Sequence, residues 1–214
     1  MIENLIWDFD GSLFNTYPAM VRLFKQALLR KGYVASEDEI LSLMKDTLGK
    51  AVDFYLDRGV DYDFYKDFKK SEEELDPAEQ PPFEGAREVC SIVVRNGGKN
   101  LIITHRSRKT AFKLLSYYEM TSLFSDIITR ESGFKRKPDP DAFVSAIRNY
   151  RLNPRSTLSI GDRDLDVIAA RDAGTKTCFF SQNGSRPTIR VDFTIDNLLQ
   201  LEKIVSDDGH SSHV

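Results

Sequence analysis

Residues 4–13, NLIWDFDGSL, are the stretch around which the rest of the chain can be arranged. The apolar run at 5–7 is short and ends in turn residues, which is typical of a buried strand in a parallel sheet. Asp8 and Asp10 follow it directly, and Gly11 then permits a sharp turn because glycine tolerates a positive φ. Ligands of open α/β sheets bind beyond the carboxyl ends of the strands. The two carboxylates are therefore expected at the edge of the sheet where chemistry takes place.

The remainder of the chain divides into two kinds of pattern. From about residue 85, apolar strands alternate with amphipathic helices, which predicts a doubly wound, Rossmann-like parallel sheet with helices on both faces. Residues 17–80 show helical periodicity without a strand signal, and Gly49 is expected to separate the second and third of four helices. The α/β class is thus predicted for a core of residues 1–16 and 81–205, interrupted by an all-helical cap at 17–80. The tail at 206–214 is predicted to be disordered.

Polar side chains follow the other predicted strands as well. Thr104 follows the second strand, Lys137 lies beyond the third, and Asp162 and Asp166 follow the fourth. Hard carboxylate oxygens without a soft ligand suit Mg²⁺, which commonly shares its ligands with a phosphate. A lysine and a hydroxyl beside them are suited to holding phosphoryl oxygens. These residues therefore indicate phosphoryl chemistry at one edge of the sheet.

In this order the residues closely resemble the motifs of the haloacid dehalogenase superfamily of phosphohydrolases. The stretch 8–13 resembles the first motif, Thr104 the second, Lys137 with Pro138 the third, and Gly161 and Asp162 with Asp166 the fourth. The resemblance covers the chain apart from its tail. The place of the helical insertion is similar to that of helical-cap members such as phosphoglycolate phosphatase and β-phosphoglucomutase. Each motif alone is weak, whereas four in order, each after a predicted strand, are specific.

The resemblance implies a role for each carboxylate. Asp8 is expected to attack phosphorus and form an aspartyl-phosphate, and Asp10 to protonate the leaving oxygen and later deprotonate water. Asp8, Asp162 and the backbone carbonyl of Asp10 are expected to bind Mg²⁺, which relieves the repulsion between a carboxylate and a phosphate dianion. Asp166 is expected to hold a metal-bound water or to orient Lys137. The implied function is Mg²⁺-dependent hydrolysis of a small phosphorylated metabolite.

Thr104 and Lys137 are expected to bind the transferring phosphoryl group itself. Two further basic residues, Arg106 and Lys50, are candidates for contacts with the rest of the substrate. Arg106 could reach a second anionic group, although a solvated loop arginine is the more common role of such a residue. Lys50 follows Gly49 where helical-cap relatives place a specificity loop, so a role in substrate selectivity is expected for it.

Other functions of the same core remain open at this point. A sugar-phosphate mutase differs only in passing the phosphoryl group to a second acceptor, and a phosphonate hydrolase would use a cap lysine such as Lys45 or Lys50 as a Schiff base. Dehalogenation is disfavoured because it leaves Asp10 without a task. A phospho-receiver domain ranks low because it lacks an insertion after its first strand. A non-catalytic binding protein is disfavoured because every catalytic position is filled.

Composition excludes several classes of partner. The net charge of −3 and the pI near 5.7 argue against a nucleic-acid binder. Two cysteines within apolar segments indicate free thiols in a reducing compartment. The N-terminus does not resemble a signal peptide and no apolar run is long enough to span a membrane. A cytoplasmic enzyme without a membrane anchor or an obligate protein partner is expected.

Overall fold

The computed structural model describes residues 1–181 and 184–205, so the tail predicted to be disordered lies outside the described residues. The described strands form one six-stranded parallel sheet with the order β3-β2-β1-β4-β5-β6. The predicted α/β fold is confirmed. The strands are β1 (Asn4–Trp7), β2 (Asn100–Ile103), β3 (Asp126–Ile128), β4 (Thr157–Gly161), β5 (Lys176–Phe180) and β6 (Phe193–Ile195).

The first strand occupies the centre of the sheet. Trp7 aligns with Ile102 of β2 on one side and with Ile160 of β4 on the other. The chain proceeds outward from β1 to β3 in one direction, and then crosses back to β4 and proceeds outward in the other. The crevice at such a reversal, outside the carboxyl ends of the strands, is where doubly wound sheets bind ligands. Residues that follow β1 and β4 flank this crevice.

Alternate residues of β1 face the two layers of helices. Leu5 and Trp7 pack in one buried cluster, with apolar side chains of three helices, whereas Ile6 packs in a second cluster with side chains of two others. This alternation follows from the period of two in a strand, and it fixes the register of the central strand. The helices of the first layer are α5 (Ala86–Arg95), α6 (Arg108–Tyr117) and α9 (Gln200–Val205), and those of the second are α7 (Asp141–Tyr150) and α8 (Asp164–Asp172).

The helical insertion forms a compact unit of its own, Asn15–Pro81, while Met1–Phe14 and the residues from Pro82 onward form the other. Its apolar core centres on Phe24, whose ring centroid lies 5.3–5.7 Å from those of Tyr55, Phe64 and Phe68. A hydrophobic core of its own is a defining property of a domain. Its helices are α1 (Tyr17–Arg30), α2 (Glu37–Asp46), α3 (Leu48–Leu56) and α4 (Asp63–Glu74).

The insertion leaves and rejoins the sheet-forming unit at two points that are distant in the sequence but joined by backbone hydrogen bonds. The backbone N–H of Phe83 donates to the carbonyl of Leu13 at 3.0 Å, and that of Asn15 donates to the carbonyl of Pro81 at 2.8 Å. The chain segments on either side of the insertion are thus hydrogen-bonded to each other. The cap predicted at 17–80 begins two residues later and ends one residue earlier than this compact unit.

The prediction that Gly49 separates two helices is wrong. Gly49 lies within α3, and the interruption is at Thr47, whose backbone is extended with φ −159° and ψ 151°. The hydroxyl of Thr47 accepts a hydrogen bond from the backbone N–H of Lys50 at 3.0 Å. An N-cap of this kind contributes about 1 kcal/mol, which is enough to offset the cost of about 1 kcal/mol of a glycine in a helix.

None of the helices in the described ranges combines the length and the hydropathy that crossing a membrane requires. Cys90 and Cys178 are both buried and form no disulfide. Burial raises the pKa of the Cys178 thiol to about 12, so this side chain behaves as a small apolar group.

Candidate active site

Asp8 lies at the carboxyl end of the central strand, with only 1% of its side chain exposed. Its backbone N–H donates to the carbonyl of Ile160 at 2.8 Å, which continues the pairing with β4 by one residue and fixes the Cα position. Lys137 donates from Nζ to Oδ1 of Asp8 at 2.7 Å. The other carboxylate oxygen, Oδ2, is buried and has no hydrogen-bond partner in the part of the chain that the structure describes.

Lys137 joins the first strand to the fourth. Its Nζ also donates to Oδ1 of Asp166 at 2.8 Å, and the lysine and aspartate side chains are 2% and 3% exposed. Asp8, Asp162 and Asp166 each offer an oxygen such that all three oxygens lie within 4.8 Å of one another. Carboxylates from the ends of β1 and β4 therefore meet at the crevice, and Lys137 reaches two of them.

Arg163 is a second cation in this cluster, and it was not among the predicted site residues. Its Nε lies 3.2 Å from Oδ2 of Asp166 and 3.7 Å from Oδ1 of Asp162. Its Nη2 lies 3.7 Å from Oδ1 of Asp8. The guanidinium thus contacts all three carboxylates, so the cluster contains three acidic and two basic side chains.

The charges in this cluster shift its pKa values in opposite directions. Burial, followed by the negative charge of Asp166, raises the pKa of Asp8 to about 6, although Lys137 and Arg163 oppose the shift. Burial also acts to raise the pKa of Asp166, but Arg163 and Lys137 outweigh it and hold that pKa below its usual range. The pKa of Lys137 is raised because Asp166 and Asp8 outweigh its own burial. At neutral pH these shifts favour the ionised forms of Asp8, Asp166 and Lys137.

The last residue of β4 has to be a glycine for this cluster to form. A Cβ atom placed on Gly161 would lie 2.3 Å from Cβ of Asp166, far inside van der Waals contact. The absence of a side chain lets the first turn of α8 pass close to the strand end, so that the carboxylate of Asp166 reaches Lys137.

Asp10 lies two residues beyond Asp8 and has different surroundings. Its side chain is 19% exposed, and its Oδ1 accepts a hydrogen bond from Nη1 of Arg106 at 2.5 Å. The expectation that Arg106 is a solvated loop residue is wrong, because its side chain is only 2% exposed. Its guanidinium is bound to a carboxylate of the chain itself, which favours a part in holding Asp10 over the recognition of a substrate anion.

Residues 104–106, which follow β2, reach three other parts of the site. Oγ1 of Thr104 accepts from the backbone N–H of Arg106 at 3.0 Å, so the hydroxyl proton of Thr104 can be donated elsewhere. Nε2 of His105 accepts from the backbone N–H of Lys137 at 3.0 Å. Burial and then the positive charges of Lys137 and Arg163 lower the pKa of His105 to about 3, so the imidazole is neutral. His105 thereby holds the segment that carries Lys137.

Two further residues lie in the first turns of helices. Asp164 lies in the first turn of α8, and its carboxylate accepts from the backbone N–H of Thr188 at 3.1 Å. Lys50 was expected in a loop, but it lies in the first turn of α3. Its Nζ is 3.4 Å from Oδ2 of Asp46, with 66% of the lysine side chain exposed. Its role in selectivity stays a prediction.

Comparison with known proteins gives a consistent result. The family model of haloacid dehalogenase-like hydrolases matches residues 5–180. Pyrophosphatase PpaX of Bacillus anthracis is 23% identical over 98% of this chain and 99% of its own. N-acetylmuramic acid 6-phosphate phosphatase of Pseudomonas putida is 22% identical over 95% and 96%. A crystal structure of a predicted phosphoglycolate phosphatase from Haemophilus somnus has a TM-score of 0.80 at 22% identity, over 95% and 97%, which supports the fold alone.

Proposed function

Because the chain belongs to the haloacid dehalogenase-like hydrolases, we propose that it is a Mg²⁺-dependent phosphatase of small phosphomonoesters. In this proposal Asp8 attacks phosphorus, the ester oxygen leaves, and water then releases phosphate from the aspartyl-phosphate. The observation that carries the proposal is the contact of Lys137 with both Asp8 and Asp166, in a buried cluster at the crevice between β1 and β4.

This contact separates the two oxygens of Asp8. Lys137 donates to Oδ1, whereas Oδ2 is the oxygen without a hydrogen-bond partner in the described ranges. A buried oxygen of this kind is costly to leave without a ligand or a reaction partner. Oδ2 is therefore the atom proposed to bind a metal ion or to attack phosphorus, and Lys137 offsets the negative charges that gather there.

The acidic residues fit a Mg²⁺ ion. Asp8 and Asp162 would hold it, together with the backbone carbonyl of Asp10, and their ligand atoms are all oxygens, as Mg²⁺ prefers. When bound, the ion would neutralise charge on the phosphate during attack by a carboxylate. Asp166 already contacts both Lys137 and Arg163, which favours its role of orienting the lysine over a direct place in the metal site.

The remaining roles follow from hydrogen-bond geometry. Thr104 has a hydroxyl proton to donate to a phosphoryl oxygen, because its oxygen already accepts from Arg106. Asp10 is partly exposed, so that a leaving oxygen and an attacking water can both reach its carboxylate for proton transfer. The substrate is proposed to be a small phosphorylated metabolite, and the helical unit, through residues such as Lys50, is proposed to influence which one is accepted.

Inorganic pyrophosphate is a second candidate substrate, because one of the similar proteins is named a pyrophosphatase. Attack by Asp8 on a diphosphate needs the same groups and releases phosphate as the leaving group. Parallel assays of pyrophosphate and a panel of phosphomonoesters distinguish the two substrates.

The proposal is tested with p-nitrophenyl phosphate in Mg²⁺ and in EDTA. We expect turnover in Mg²⁺ that EDTA abolishes and that Asp8→Asn reduces to background. Turnover that survives Asp8→Asn would refute the assignment of the nucleophile. For selectivity, Lys50→Ala should alter the ranking of natural substrates more than the rate on the generic ester, and an equal loss on all substrates would contradict that part of the proposal.

A further inference from the structure

Arg106 contacts both Thr104, which is proposed to bind the phosphoryl group, and Asp10, which is the proposed acid and base. Its Nε donates to Oγ1 of Thr110 at 3.1 Å, and its guanidinium carbon lies 5.6 Å from the centre of the Phe9 ring. Its backbone N–H binds Thr104, and its Nη1 binds Asp10. A guanidinium with these contacts and 2% exposure occupies one fixed position.

We propose that Arg106 is a positioning residue that holds the carboxylate of Asp10 in the orientation needed for proton transfer. This proposal rests on the proposed function and adds a residue to it. Arg106 occupies Oδ1 of Asp10, so that Oδ2 is the oxygen that carries the proton. A carboxylate with 19% exposure and no such contact would rotate about its terminal torsion, which has a broad distribution of angles.

The proton transfer that depends on this contact can be written in full. As a bond forms between phosphorus and Asp8, the bond between phosphorus and the ester oxygen breaks. Oδ2 of Asp10 gives its proton to that oxygen, which leaves as an alcohol, and Asp10 is left as a carboxylate bound to Arg106. In the second half-reaction Oδ2 takes a proton from the water that attacks the aspartyl-phosphate. The two steps balance and restore the starting state.

Two simpler roles for Arg106 make different predictions. If Arg106 only stabilised the fold, its loss would lower the rate on every substrate equally, because less enzyme would be folded. If Arg106 bound the substrate, its loss would raise KM for substrates with a second anionic group. Loss of a residue that positions the acid would lower kcat/KM, which reports on the first half-reaction, in proportion to how much the leaving group needs a proton.

The test uses a series of monoesters that differ in their leaving group, assayed in Mg²⁺ with wild type, Arg106→Gln and Arg106→Lys. A p-nitrophenolate leaves without protonation, whereas the alkoxide of an alkyl phosphate must be protonated. For Arg106→Gln we expect kcat/KM to fall about 10- to 100-fold on the alkyl phosphate, as for the loss of a charge-assisted hydrogen bond, and about threefold or less on p-nitrophenyl phosphate. Arg106→Lys, which keeps one charged donor, should restore part of the loss.

The matched control is Arg108→Gln, because Arg108 is exposed and its guanidinium lies against Phe112, 4.6 Å from the ring centre. It should behave as wild type. Asp10→Asn should show the same dependence on the leaving group, and adding Arg106→Gln to it should cost little more, because both act through one proton. Equal losses of kcat/KM across the series, or fully additive losses in the double variant, would overturn the role of Arg106. Failure of the wild type to hydrolyse any ester would overturn the proposed function and this inference with it.

Discussion

Asp8 and Asp10 are separated by one residue, yet their surroundings have little in common. Asp8 is 1% exposed and lies among two cations and two further carboxylates, whereas Asp10 is 19% exposed and contacts Arg106. The buried carboxylate is fixed and shielded from water, as a nucleophile requires. The partly exposed one can exchange protons with solvent. The same residue type can therefore serve two different steps, because its surroundings and not its chemistry differ.

The largest expected effect is on the phosphoenzyme intermediate, which Asp8→Asn and Asp10→Asn should change in opposite ways. Asp8→Asn should form no phosphoenzyme and lose at least about 10⁴-fold in turnover. Asp10→Asn should accumulate phosphoenzyme from p-nitrophenyl phosphate, because hydrolysis of the intermediate loses its base and slows about 10²- to 10⁴-fold. Acid quenching followed by mass spectrometry measures the phosphorylated fraction. Mg²⁺ binding should survive Asp10→Asn, and its loss would contradict the assigned acid and base role.

The next largest effect concerns the cation beside Asp8. Lys137→Met leaves Asp8 and Asp166 buried without the donor that they share, so the free energy of unfolding should fall by about 3 kcal/mol or more. Urea unfolding in EDTA measures this loss, and Mg²⁺ should recover part of it. Lys135→Met is the control, because that side chain is 75% exposed, and it should change stability little. A small effect of Lys137→Met would show that the carboxylates are protonated when the lysine is removed.

His105 extends the comparison to pH. Its pKa is lowered to about 3 in the folded protein, whereas an unfolded histidine titrates near 6.5. Below about pH 6.5 the imidazole therefore binds a proton more readily in the unfolded chain than in the folded one. The contribution of His105 to stability is lost as pH falls. Between pH 6.5 and 5 this loss is at most about 2 kcal/mol. His105→Gln keeps an acceptor for the N–H of Lys137 but does not titrate. Its urea stability in EDTA should therefore decline less over this range than that of the wild type, and equal declines would refute the argument.

The smallest expected effect concerns metal affinity. Arg163 contacts all three carboxylates of the cluster and compensates charge that a Mg²⁺ ion would otherwise compensate. Arg163→Met should therefore lower the Kd for Mg²⁺ about tenfold, which corresponds to about 1.4 kcal/mol. Isothermal titration of the metal-free protein measures this directly. Arg171→Met, at the other end of α8 and paired with Asp172, serves as the control. Weaker binding by Arg163→Met would mean that the arginine orders the carboxylates for the ion.

The fold was predictable because its signals are local. Alternation of short apolar runs with amphipathic helices indicates a parallel sheet, and strand ends in such a sheet share an edge. Asp8, Lys137 and Asp166 could therefore be expected near one another from their positions after strands alone. Gly49 and Thr47 give competing local signals, and the one at Thr47 prevails: its extended backbone ends α2 and its hydroxyl caps α3.

The two arginines could not be placed from the sequence, for a physical reason. A charged side chain beside a predicted site residue is solvated in most proteins. Only the folded structure shows whether such a side chain is instead buried and paired with a carboxylate. Arg106 meets Asp10 across 96 residues of chain. Arg163 lies within the stretch 161–166 that resembles the fourth motif, but its contacts with three carboxylates follow only from the folded structure.

The hydrogen bonds that join Leu13 to Phe83 and Asn15 to Pro81 have a consequence for evolution and for engineering. Because the two ends of this segment are adjacent in space, the segment can be replaced by another without changing the distance that the remaining chain has to span. Recombination at these two joints would preserve every residue assigned to catalysis, since all of them lie outside Asn15–Pro81. One contiguous segment could thus be transplanted without changing the carboxylate cluster or Lys137.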